Sequence, residues 1–104
     1  MNSKNHLGAA GELLACAFFL DHGLEVFRNV ASSGPADIVL QNEDKFLAVD
    51  IKCVRSPYVR KDGEYSLPQQ PRWTGGAAVV VIVHGEAAVR LPEGFWEALG
   101  MEIA

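Results

Sequence analysis

Two short apolar runs, Ala36-Asp37-Ile38-Val39-Leu40 and Phe46-Leu47-Ala48-Val49-Asp50-Ile51-Lys52-Cys53, each carry an aspartate where a strand favours hydrocarbon. Joined as an antiparallel hairpin through Asn42-Glu43-Asp44-Lys45, with Gln41 opposite Phe46, they place Leu40 opposite Leu47, Ile38 opposite Val49 and Asp37 opposite Asp50. Directly opposed Cβ atoms lie roughly 4.5–5.5 Å apart, where like charges destabilise. A divalent cation between the two carboxylates offsets that repulsion. Lys52, on the same face of a period-2 strand as Asp50, brings an ammonium to the same place. Two acids, a metal and a lysine at one sheet edge are the equipment of phosphodiester hydrolysis. The plain alternatives are a turn-capping role for Asp37 after Pro35 and a surface ion pair between Asp50 and Lys52 worth about 0–1 kcal/mol. The ion pair leaves Asp37 without a role.

Around this hairpin the pattern predicts a helix over about Asn5 to Asp21, with Leu7, Ala10, Leu14 and Phe18 at helical spacing and Gly23 as its stop. Gly8-Ala9-Ala10-Gly11 makes its first half slim enough for close approach to a sheet, at about 1 kcal/mol per glycine in helix propensity. Residues 24–29 alternate and predict a half-buried strand, and Ser32-Ser33-Gly34-Pro35 breaks it. From Val54 to Gly76 the chain is polar and rich in Pro and Gly, and it reads as a long functional loop. Ala77 to Val83 is uninterrupted hydrocarbon, as in a central strand covered on both faces. A further strand, Ala87 to Leu91, follows, and Pro92 opens a short last helix with Phe95, Trp96 and Leu99.

The 104 residues hold one domain, at 49% hydrophobic and 21% charged content an ordinary globular composition. The absence of a membrane-length apolar run and of an apolar signal core points to a cytoplasmic protein without a membrane partner. Cys16 and Cys53 lie in apolar segments and read as reduced thiols, and His6, His22 and His84 have no metal-ligand spacing. A net charge of −4 argues against a nucleic-acid partner until its distribution is considered. Lys52, Arg55, Arg60, Lys61 and Arg72 against Asp62 and Glu64 leave residues 52–72 a local +3 between acidic flanks. A phosphate backbone is expected along Arg55, Arg60, Lys61 and Arg72, with a solvated charged loop as the alternative.

Gly8-x-x-Gly11-Glu12 on the first helix, Gly34-Pro35-Ala36-Asp37 opening one strand and Asp50-Ile51-Lys52 in the next resemble the PD-(D/E)xK nuclease superfamily over roughly residues 6–53. The resemblance implies an α/β fold with a restriction-endonuclease-like core: a mixed sheet of about five strands, an N-terminal helix and a short C-terminal helix. It implies a metal-dependent endonuclease acting on DNA, with Asp37 and Asp50 as ligands of Mg²⁺ or, in its place, Mn²⁺. Lys52 would position or activate the attacking water, and Glu12 would be a further acidic participant and ligand, unless it is simply an exposed helix residue. Within the superfamily the chain is similar to small endonucleases associated with group I introns and phages, with Holliday junction resolvases as the second choice. Two departures stand out. Pro57, Gly63, Pro68 and Pro71 exclude the long helix that many members place after the Asp-x-Lys strand, and Ala36 separates the motif proline from Asp37.

A domain of this size offers one metal site and little surface for selecting DNA, so a homodimer or larger symmetric assembly is expected. Trp73, Phe95, Trp96 and Leu99 are candidates for its interface or for the domain's own core. The rival readings are a catalytically silent nucleic-acid-binding module on the same fold and a structural subunit.

Overall fold

A computed structural model of the chain describes residues 3–30, 36–56, 58–59, 61–66 and 69–102. Helix α1 (Ser3–Asp21) is followed by strands β1 (Glu25–Arg28), β2 (Ile38–Asn42), β3 (Lys45–Val54), β4 (Tyr58–Val59), β5 (Tyr65–Ser66), β6 (Arg72–Thr74), β7 (Ala77–Val83) and β8 (Ala88–Arg90), then by the single turn α2 (Phe95–Ala98). The result is an α/β fold around a mixed sheet of six strands in the order β1-β2-β3-β7-β6, with β8 also on β7. One more strand joins the sheet than the sequence suggested, because β6, at the end of the expected loop, pairs antiparallel with the start of β7. The segment between β3 and β7 is also less irregular than a plain loop, since β4 and β5 form a small separate hairpin within it.

The β2–β3 hairpin has the register read from the sequence: Ile38 opposite Val49, Leu40 opposite Leu47 and Gln41 opposite Phe46. Its two-residue turn holds Glu43 at a left-handed φ of 55°, and the Gln41 side-chain amide donates to the Glu43 carbonyl at 2.9 Å. β3 runs parallel to β7, setting Asp50 beside Val79 and Lys52 beside Val81. Parallel neighbours need a crossover of a dozen or more residues, and the segment after Val54 supplies it. From Ala78 to Val83 β7 is buried on both faces, as its unbroken hydrocarbon requires.

The strand alternation divides the sheet into two faces. On the inner face Ile38, Leu40, Leu47, Val49, Ile51, Val80 and Ile82 meet Ala15, Cys16 and Phe19 of α1 and Phe95 and Leu99 at the C-terminal end. Phe95 and Leu99 are wholly buried there, with the Phe95 ring stacked on Phe19 at 5.6 Å, so the core claims them and they are not interface residues. Val54, Val81 and Val83 form a smaller cluster on the outer face. α1 approaches the sheet most closely at Gly11, where a Cβ would stand 2.7 Å from the Cβ of Cys53. Gly8 plays no part in that approach, since a Cβ there would meet nothing within 4 Å. Gly23 ends the helix as expected, in a left-handed conformation at φ +83°. Strand β1 is more exposed than a half-buried strand, the burial at this point going to Leu24 just before it. Among the described residues no helix is long and apolar enough to cross a membrane.

Candidate active site

The regular β2 ladder starts at Ile38, so Asp37 lies one residue outside it. Three hydrogen bonds set its position. The Asp37 amide donates to the Val49 carbonyl at 3.0 Å, and the Asn29 amide donates to the Asp37 carbonyl at 2.9 Å, continuing the pairing with β1. The Asn29 side-chain amide holds the Ala36 carbonyl at 3.0 Å. With Ala36 engaged on that side, the Ile51 amide of β3 takes its hydrogen bond from the Asp37 carboxylate instead, Oδ2 accepting at 2.6 Å. The side chain of Asp37 thereby supplies the acceptor for the Ile51 amide just beyond the end of the β2 ladder.

That anchoring brings the two aspartates together. The Asp50 carboxylate lies close enough to the Asp37 carboxyl to raise its pKa, and Glu12 on α1 is near enough to add its field. Burial lifts the Asp37 carboxyl above the ordinary carboxylate range; the Ile51 amide opposes the rise, and the charges of Asp50 and Glu12 reinforce it. Lys52 stands on the other side of Asp50, its Nζ 3.3 Å from Oδ2. The site is open to solvent, with the Lys52 and Asp50 side chains 42% and 30% exposed.

The structure thus gathers Asp37, Asp50 and Lys52, with Glu12 in electrostatic range. It does not close a third carboxylate onto the pair: among the described residues no three His, Cys, Asp or Glu side chains converge as a metal cluster. Two carboxylates still fit a hard cation such as Mg²⁺, which keeps several waters and binds through one or two carboxylates plus phosphate. The like-charge contact and its open side match that donor set.

Of the basic residues singled out from the sequence, Arg60 lies outside the described residues, while Arg55, Lys61 and Arg72 are exposed. Arg72 shares a cross-strand row with Asp50, both being opposite Val79. Two strand spacings separate them, about 10 Å. The next row adds a cation that the sequence reading missed: Arg90 of β8 is opposite Val81, which is opposite Lys52. Arg90 also pairs with Glu86 at 3.3 Å. A second omission is Arg28, whose charge acts on Cys16 and which borders Asn29 and the Asp37 segment. Neither is visible in a motif. Each becomes legible only once the strand pairing is known.

Both cysteines are free thiols. Burial pushes the Cys16 thiol up, with Arg28 opposing and Glu12 reinforcing, and burial likewise raises Cys53 against the pull of Arg55. Thiols held neutral in this way are poor nucleophiles and poor metal ligands, in keeping with a structural part. Compared with known proteins, the chain matches no protein-family model, no curated protein and no solved structure.

Proposed function

We propose that the chain is a metal-dependent endonuclease that hydrolyses phosphodiester bonds of DNA, built on a restriction-endonuclease-like core. One observation carries the reading: Asp37, fixed by the Ile51 amide, and Asp50, ion-paired to Lys52, lie close enough to act on each other in a solvent-open site. With both acids ionised the pair costs the fold stability, and a ligand that needs both charges accounts for it. Asp37 and Asp50 would hold Mg²⁺ or Mn²⁺, which supplies a water of lowered pKa and charge neutralisation at the phosphate. Asp37 is oriented for this by the Ile51 amide. Lys52, already ion-paired to Asp50, is placed to stabilise charge developing on the phosphoryl oxygens or to orient the attacking water. Glu12 is a positioning acid in this scheme, acting on Asp37 through its field. The exposed Arg55, Lys61, Arg72 and Arg90 would track the backbone on either side.

The second reading is a nucleic-acid-binding module without catalysis on the same fold. A cleavage panel of linear duplex, branched and single-stranded DNA, with and without Mg²⁺, separates the two. Cation-dependent cleavage that disappears in Asp50→Ala and falls by about 10² or more in Lys52→Ala is the expected result. Preference for the branched substrate would make the enzyme a junction resolvase. Full activity of Asp50→Ala in a preparation free of host nuclease would overturn the assignment.

A further inference from the structure

The outer face of the sheet is uneven. At β3 and β7 it carries the buried cluster of Val54, Val81 and Val83, but on β1, β2 and the start of β3 it lies open. Phe27, Val39 and Ala48 are successive cross-strand neighbours on that open face, and Phe46 precedes Ala48 on the same side of the pleat. The Phe27 ring is 50% exposed and Phe46 is 61% exposed. Asp50 follows Ala48 on the same face, so the open hydrocarbon begins where the paired acids end.

A cavity of about 310 Å³ lies at the end of β1 and β2, lined by Phe27, Arg28, Asn29, Ala36, Ile38 and Val39; Phe27 and Val39 belong to the open face, and Arg28, opposite Ile38, to the face that packs α1. Its wall joins the candidate site directly, since Asn29 bonds the backbone of both Ala36 and Asp37. Among the described residues the lining contains one cation and no acid, in a chain whose net charge is −4. An aromatic wall, an arginine and a phosphate-cleaving centre at its rim are the parts of a nucleotide-binding subsite.

We propose that this cavity takes an unpaired nucleobase next to the phosphate engaged by Asp37, Asp50 and Lys52, with Phe27 as the stacking surface. The substrate class is then single-stranded or locally unwound DNA. The identity of the ligand rests on the nuclease reading given above. In a continuous duplex the base rings are stacked inside and offer nothing to an exposed phenyl ring beside the cleavage site, whereas an unpaired base presents its whole face.

The test is binding of a fluorescent oligothymidylate strand and of a blunt duplex of equal length, measured by anisotropy in EDTA so that nothing is cut. The strand should bind more tightly. Phe27→Ala should weaken strand binding by about tenfold while changing duplex binding by less than about twofold, and Phe27→Trp should restore it. Because Phe27 is half exposed, its truncation leaves the fold intact, which a melting curve checks. Unchanged strand affinity in Phe27→Ala, or equal losses on strand and duplex, overturns the subsite. So does a Phe27→Ala protein whose only change is a smaller mass in sedimentation. Phe27-dependent strand binding by a protein that cuts no DNA would uphold the subsite and remove the nuclease reading; cleavage of DNA with no Phe27 effect would do the reverse.

Discussion

Asp37 carries two duties that pull in opposite directions. As acceptor for the Ile51 amide it needs only an oxygen, but as half of a carboxylate pair it carries a charge that burial, Asp50 and Glu12 all oppose. Its pKa is raised by folding, so the native state binds more protons than the unfolded chain between the two pKa values. Stability therefore falls as pH rises through that window, and the penalty is complete above the folded-state pKa. Asp37→Asn keeps an oxygen for Ile51 and drops the charge. It should raise stability at pH 7, by no more than about 1 kcal/mol because the site is open and screened. It should also remove that part of the pH dependence. Urea melts of both proteins at pH 7 and at pH 4 check this; a variant less stable than wild type at pH 7 would show that the charge itself is needed. The nearness of Asp37 to Asp50 was legible from the hairpin's turn, although the regular pairing stops at Ile38 and Val49 and the Asp37 amide bonds the Val49 carbonyl. The detour of the Ile51 hydrogen bond was not, because it depends on how Asn29, outside the hairpin, engages Ala36.

At the level of elements, the two glycines of α1 have different roles. Gly11 faces Cys53 so closely that a methyl group would meet both Cβ and Sγ under 3 Å, and the Cβ cannot move without the strand. Gly8 faces open space. Gly11→Ala should therefore destabilise, since overpacking of about 1–3 kcal/mol outweighs the roughly 1 kcal/mol gained in helix propensity, whereas Gly8→Ala should be neutral or stabilising. Thermal melts of the two variants decide it, and equal shifts would mean that α1 slides freely over β3. From the sequence alone the two positions are equivalent. Helix existence, the hairpin register and the central strand were readable because periodicity and turn length determine them. β6 escaped notice because three residues, Arg72-Trp73-Thr74, carry too short a pattern. Trp73 is held there by a hydrogen bond from its indole N–H to the Glu93 carbonyl at 2.7 Å, a partner twenty residues away that no local pattern announces.

For the molecule as a whole, the acidic net charge and the local basicity find a common geometry. Arg72 and Arg90 arrive on the outer face from strands beyond β7, in rows that lead back to Asp50 and Lys52. A chain that is acidic elsewhere can thus present cations beside its acids along one path. Replacing Lys61 and Arg72 together should weaken binding to unrelated DNA sequences about equally and flatten the slope of log affinity against log salt by roughly 1.5 units. An unchanged slope would locate the backbone elsewhere. Any symmetric assembly must be built without Phe95 and Leu99, which the core has claimed; Leu13 and Leu20 remain exposed on α1, and Trp73 is partly so.

The adjacency of Asp37 and Asp50 also bears on how the chain folds. They are joined through a hairpin with a two-residue turn, so little loop entropy opposes their meeting. The parallel partner β7 must instead return across the long segment after Val54. Non-local pairings of that kind are the slow part of folding. The repulsive contact thus belongs to the β1–β2–β3 meander, whose pairings are all between successive strands, and the molecule carries it uphill before β7 closes the core. Discharging it with Asp37→Asn should steepen the descent from that point. In a stopped-flow chevron the refolding arm should rise while the unfolding arm stays nearly in place. A shift confined to the unfolding arm would mean that the two acids meet only after the barrier has been crossed.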